Sequence, residues 1–165
     1  MSSWLIPTTA DVGLRTFSRS PERLLEETVK GMLDILIAKN TPIDFVDASV
    51  KNSTWNLEST KFIPYDMWMV RLLEEVLYQI EINDCWVLDI NIFLSERTNL
   101  GAKSLDADVK WISSELVERE IEIKAVTRHM LQFRELAAGE TCLSDWENIP
   151  EFEGPGWISD VIFDI

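Results

Sequence analysis

Three acids lie in apolar, strand-like stretches of the sequence: Asp11 in "TTADVGLRTF", and Asp160 and Asp164 in "WISDVIFDI". A carboxylate buried without a partner costs several kcal/mol or shifts its protonation, so acids in such places usually have something to hold. One solution is a cation bridging two carboxylates. Oxygen ligands suit hard ions such as Mg2+, Ca2+ or Mn2+, and the α-carboxylate of Ile165 stands beside Asp164 as a further donor. The plainer alternative is that each acid faces water or accepts from a backbone N–H. Lys124, between Ile123 and Ala125, reads either as a surface lysine or as a cation that offsets a phosphate or carboxylate at the same site. His129 shares its strand parity with Ile121 and Ile123, which predicts a semi-buried structural histidine.

Other chemistries lack their residues. The sequence contains no GxGxxG, P-loop, GxSxG or HExxH pattern. Cys85 and Cys142 have no CxxC spacing and no histidine-rich company, so neither a zinc site nor a disulfide framework is signalled. Acids outnumber bases 29 to 15, for a formal charge of −14, a field that repels free nucleic acid and anionic membranes and favours cations or a basic partner protein. The opening "MSSWLIPTTA" has no basic n-region or long apolar core, and no window reaches the length of a membrane span. A reduced, cytoplasmic setting is the expectation.

The elements that must position these residues follow from periodicity. Val12, Leu14 and Thr16 alternate with Asp11, Gly13 and Arg15, a strand pattern. Next, Ser20 caps and Pro21 opens a helix whose apolar face is Leu25, Val29, Met32, Leu33 and Leu36, with Asn40 and Pro42 marking its end. "IDFVDASVKNSTWNL" predicts one or two short strands. A second helix carries Met69, Leu72, Leu73, Val76 and Ile80 and stops at Asn83 and Asp84. "CWVLDINIFLSE" alternates as a strand. "RTNLGAKSLDADVKWISSELVERE" leaves a strand followed by one or two helical turns open. "EIEIKAVTRHMLQFREL" alternates again, with Ile121, Ile123 and Ala125 on one face, and a polar loop rich in Pro and Gly leads to the last strand. The 165 residues, 46% hydrophobic, suffice for one core, and the irregular mixture of elements predicts an α+β fold with two helices packed on a largely antiparallel sheet.

"TADVGLRTF", "EIKAVTRH" and "VIFDI", in that order and with the last at the C-terminus, resemble the three signature blocks of the archease family. "PERLLEETVKGML" and "WMVRLLEEVLYQI" resemble its two helices. The resemblance implies a single domain over residues 1–165 with nested strand-helix-strand-strand modules, one inserted at roughly 45–100. It further implies a non-catalytic accessory protein of tRNA splicing and RNA repair that activates an RtcB-type RNA ligase by promoting its guanylylation, meeting tRNA only through the ligase. The residues it marks for activation are Asp11, Lys124 and Asp164; Asp11 and Asp164, with Ile165, would hold a divalent metal ion (Ca, Mg or Mn). Thr8 stands where a histidine is usual in the family, and Arg128 where a tyrosine is common. Two rival readings are a metal-dependent phosphohydrolase using the same acids, and a chaperone-like interaction module without metal.

Overall fold

A computed structural model describes residues 2–39 and 49–165. The elements run β1 (Ser3–Ile6), β2 (Val12–Ser18), α1 (Pro21–Leu36), β3 (Lys51–Pro64), α2 (Tyr65–Ile82), β4 (Cys85–Ser95), β5 (Gly101–Ser113), β6 (Ala125–Val126), β7 (Gln132–Leu136), β8 (Thr141–Cys142), β9 (Phe152–Glu153) and β10 (Gly156–Asp164). The class is α+β, as expected. Among the described residues every strand pairing is antiparallel. β1, β2 and β10 form one sheet in that order, and the far edge of β10 is shared by β7 and β6. A second sheet, β3-β5-β4, is built from the chain between α1 and β6, and β8 and β9 make a small third.

Helix α1 joins the two larger sheets. Ser20 Oγ accepts the Arg23 N–H at 3.2 Å and Pro21 occupies the first turn, so the start follows the capping rules of the sequence. Its buried side holds Leu25, Val29, Met32, Leu33 and Leu36 in one hydrophobic cluster with Leu14, Val161 and Phe163 of the first sheet and Ile90, Ile92 and Leu105 of the second. A Cβ at Gly31 would come within 2.7 Å of Leu14 Cδ2, so the close approach of helix and sheet needs glycine there. Helix α2 adds Trp68, Met69, Leu72, Leu73 and Val76 to the same core.

The opposite face of the first sheet is covered by the segment between β7 and β10. Ile149 packs with Ile6 and Ile162, while Cys142 and Phe152 pack with Phe17, Leu136 and Ile158. Covered on both sides, β10 is buried at every position from Gly156 to Phe163. Cys85 and Cys142 are both free and buried, and burial pushes the Cys85 thiol up to about 11.

Several expectations change. Helix α1 stops at Leu36, where Ile37 turns extended and bridges to Arg119; Asn40 and Pro42 lie outside the described residues. The strand expected within residues 43–57 falls partly outside them too, but β3 runs 14 residues from Lys51. Strand β1 was not foreseen. The undecided stretch becomes β5 and a 3-10 turn at Ser114–Leu116. The continuous strand expected from Ile121 is divided into β6 and β7: before Ala125 it lacks a partner because β10 stops opposite Ala125, and between Val126 and Gln132 it leaves the edge of β10 as a turn. Ile123 is buried and Glu122 exposed as the alternation requires, but Ala125, expected on the face of Ile123, is exposed and Val126 is buried in its place.

Candidate functional site

The end of β10 is the place to which the candidate residues converge. Asp160 is registered against Arg15 and Ile162 against Gly13, and the last pair joins Phe163 to Val12. Asp11 is therefore one residue beyond the last pair, on the side where Asp164 follows Phe163. Side chains alternate along a strand, so Asp11 shares the face of Gly13 and Arg15, and Asp164 the face of Asp160 and Ile162. Those are the same face of the sheet. On the other edge, Asp164 pairs with Ala125, the Lys124 N–H donates to the Asp164 carbonyl at 2.8 Å, and Lys124 Nζ donates to the Ile165 main-chain oxygen at 3.3 Å. One strand end thus brings Asp11, Lys124, Asp164 and Ile165 together.

The burial pattern changes at the same point. After eight buried residues, Asp164 is exposed, as are Asp11 and Lys124. Neither the Asp11 nor the Asp164 carboxylate has a hydrogen-bond or ion-pair partner among the described residues. The carbonyl of Asp11 does: the Thr8 hydroxyl donates to it and fixes the turn that enters β2.

Asp160 behaves differently. It is 3% exposed, and its partner is a side chain rather than an ion: Arg15 Nε and Nη2 reach its two carboxylate oxygens at 2.7 Å each. The Gln132 amide donates to it as well, and Arg15 lies over the Trp146 ring at 5.1 Å from its centroid. The Asp160 hydrogen bond is the main reason the Arg15 guanidinium is held above its ordinary pKa. Sequence reasoning missed Arg15 as the partner, although its parity in β2 pointed to the right face. His129 corrects a further expectation. It is exposed, in the turn between β6 and β7, where its backbone N–H donates to Thr127 Oγ1 at 3.3 Å. Its parity with Ile123 is already lost in β6, where Ala125 is exposed and Val126 buried, and β6 ends three residues before it.

For a metal, the tip offers two carboxylates and main-chain oxygen, a hard donor set with no sulfur or imidazole. Among the described residues no group of three His, Cys, Asp or Glu side chains is placed to hold an ion. The donor types fit a hard cation, and the number of side-chain ligands leaves coordination positions for outside oxygens.

The family profile described as the Archease protein family (MTH1598/TM1083) matches residues 4–165, nearly the whole chain. The chain belongs to the Archease family. Archease sequences and this fold coincide in a solved structure, the solution structure of Methanobacterium thermoautotrophicum protein 1598. That structure is similar at 18% identity over 99% of each chain, with a TM-score of 0.58. At that identity the likeness is one of fold. No curated protein matches the chain. The Archease profile spans Asp11, Lys124 and Asp164, and no helix among the described residues is long and apolar enough to cross a membrane.

Proposed function

We propose that this Archease-family chain is a non-catalytic activator of an RtcB-type RNA ligase, promoting guanylylation of the ligase through the tip at the end of β10. The observation that carries the reading is the convergence of Asp11, Lys124 and Asp164 on one strand end, exposed and with both carboxylates unpartnered, while the buried acid of the same strand, Asp160, is neutralised internally. Exposed carboxylates with no internal partner are free to engage something outside the molecule.

Asp11 and Asp164, with main-chain oxygen of Ile165, would hold a divalent cation, which when bound supplies positive charge to phosphate oxygens. The protein residues do the rest. β10, fixed on both faces and both edges, presents Asp164 rigidly; Thr8 sets the Asp11 backbone; Lys124, anchored by its N–H to Asp164 and by its ammonium to Ile165, places a second positive charge beside the carboxylates. The surplus negative charge of the surface steers the chain toward a basic RNA-binding face on the ligase, and tRNA is met only through that partner.

The test is guanylylation of the cognate ligase with and without the chain. Stimulation by the wild type is expected, and Asp11→Ala, Lys124→Ala and Asp164→Ala should each abolish it while leaving the circular dichroism unchanged. A wild-type chain without effect overturns the proposal, and nucleotide hydrolysis by the purified chain alone would instead make it a phosphohydrolase.

A further inference from the structure

The turn between β6 and β7 stands at the edge of β10 close to the tip, and its construction is unusual. β6 pairs with Phe163 and Asp164, the Thr127 N–H donates to the Ile162 carbonyl at 2.9 Å, and β7 resumes pairing at Asp160 opposite Gln132. Four residues, Arg128 to Leu131, therefore bulge out where β10 advances by one. The bulge is pinned: His129 N–H donates to Thr127 Oγ1 at 3.3 Å, and Leu131 N–H to the Arg128 carbonyl at 3.4 Å. Met130 sits at φ 55°, a left-handed conformation that is costly for a side chain of its size. Arg128, His129 and Met130 all project into solvent.

Charge makes the turn more informative. Among the described residues, seven of the fifteen Lys and Arg side chains form ion pairs with acids and eight do not; of those eight, Lys124 and Arg128 are the two beside the end of β10. Arg128 has no acidic partner among the described residues, although acids outnumber bases 29 to 15. It lies about three strand positions from Asp164, roughly 10 Å along β10. One divalent cation would do no more than balance the two carboxylates, and Lys124 already shares its ammonium with the Ile165 oxygen, so the tip itself offers a polyphosphate little surplus positive charge. A guanidinium on the neighbouring turn supplies it, and its planar fork matches phosphate oxygens two at a time.

We infer that the 127–131 turn is the phosphate-binding flank of the tip, with Arg128 contacting the triphosphate of the nucleotide that guanylylates the ligase. The inference rests on the reading proposed above. Its test measures stimulated guanylylation as a function of nucleotide concentration, without RNA, for the wild type, Arg128→Lys, Arg128→Glu and, as a distant control cation, Lys110→Ala. Arg128→Glu should raise the nucleotide KM about tenfold or more, as expected for one charge-assisted hydrogen bond, with Arg128→Lys between it and the wild type and Lys110→Ala unchanged. A wild type that stimulates beside an Arg128→Glu variant with unaltered KM overturns the inference alone. So does a variant that only raises the amount of chain needed for half-stimulation, since Arg128 would then touch the ligase surface. A wild type without effect removes both this inference and the reading beneath it.

Discussion

Arg15 and Asp160 face each other across β2 and β10 as a buried, two-pronged ion pair, four residues along their strands from Asp11 and Asp164. The pair fixes the register on which the tip depends, because a slip of one residue would move Asp11 and Asp164 to opposite faces. Asp160→Ala leaves the guanidinium buried and unpaired, at a cost of about 3–5 kcal/mol. Replacing both at once, as Arg15→Met with Asp160→Leu, should recover most of that stability in urea unfolding. If the single and double variants prove equally unstable, the pair is not what holds the two strands.

Glu26 makes a second unusual connection. It is a helix residue 5% exposed, and its Oε1 accepts the Ile92 N–H at 2.9 Å. Among the described residues β4 has a strand partner only in β5, and this carboxylate satisfies a donor on its other edge. Glu26→Leu should destabilise by about 1–3 kcal/mol through the orphaned N–H, and hydrogen exchange at the Ile92 amide should accelerate more than at Val109 in the sheet centre. Uniform acceleration across the sheet would argue for a global effect instead.

Asp84 gives stability a dependence on pH. It follows α2 with a left-handed φ of 53°, and its carboxylate accepts from Ser113 Oγ and Ser114 Oγ at 2.6 Å each and from the Glu115 N–H at 3.2 Å. The two serine hydroxyls, first among these contacts, hold the carboxyl below its ordinary 3.8. A depressed folded-state value means that the contribution is complete above the unfolded value near 3.8 and is lost as pH falls through the folded one. Asp34 acts in the opposite sense: burial, and then Glu27, raise its carboxyl, so its ionisation opposes folding as pH climbs above 3.8. The difference between wild type and Asp84→Asn cancels Asp34. That difference should favour the wild type at pH 5 and shrink steadily below pH 4; a constant gap would mean that the carboxylate charge contributes nothing.

How far the sequence reached can be judged from particular residues. The capped start of α1 and the existence of β2 and β10 were legible because caps and apolar strand runs are local signals. The wetter face expected of β2 was not borne out, since the segment between β7 and β10 covers it and leaves Gly13 and Arg15 buried. The placement of Asp11 and Asp164 on one face was reachable only once Asp160 was seen opposite Arg15, since parity within a strand says nothing of register between strands. The Ile121 strand and a buried His129 were misread for the converse reason. Alternation records which side chains are buried, and Ile123 is buried, but a strand also needs a neighbour, which β10 no longer supplies before Ala125. Arg128 carried no local signal, because its position depends on a bulge that only the β6 and β7 pairings reveal.

Thr8 allows the geometry of the tip to be separated from its charge. Its hydroxyl donates to the Asp11 carbonyl, closing the turn ahead of β2, while its side chain is exposed and contributes nothing to the core. Thr8→Ala removes that bond and leaves every carboxylate in place, so Asp11 should become mobile relative to Asp164 without loss of charge. Because an exposed turn bond contributes about 1 kcal/mol or less, the unfolding midpoint should hardly move. The concentration of Ca2+ or Mn2+ needed for half-maximal guanylylation should nevertheless rise several-fold, and Thr8→Ser, which keeps the hydroxyl, should match the wild type. Equal metal dependence for the alanine and serine variants would show that Asp11 is positioned by β2 alone.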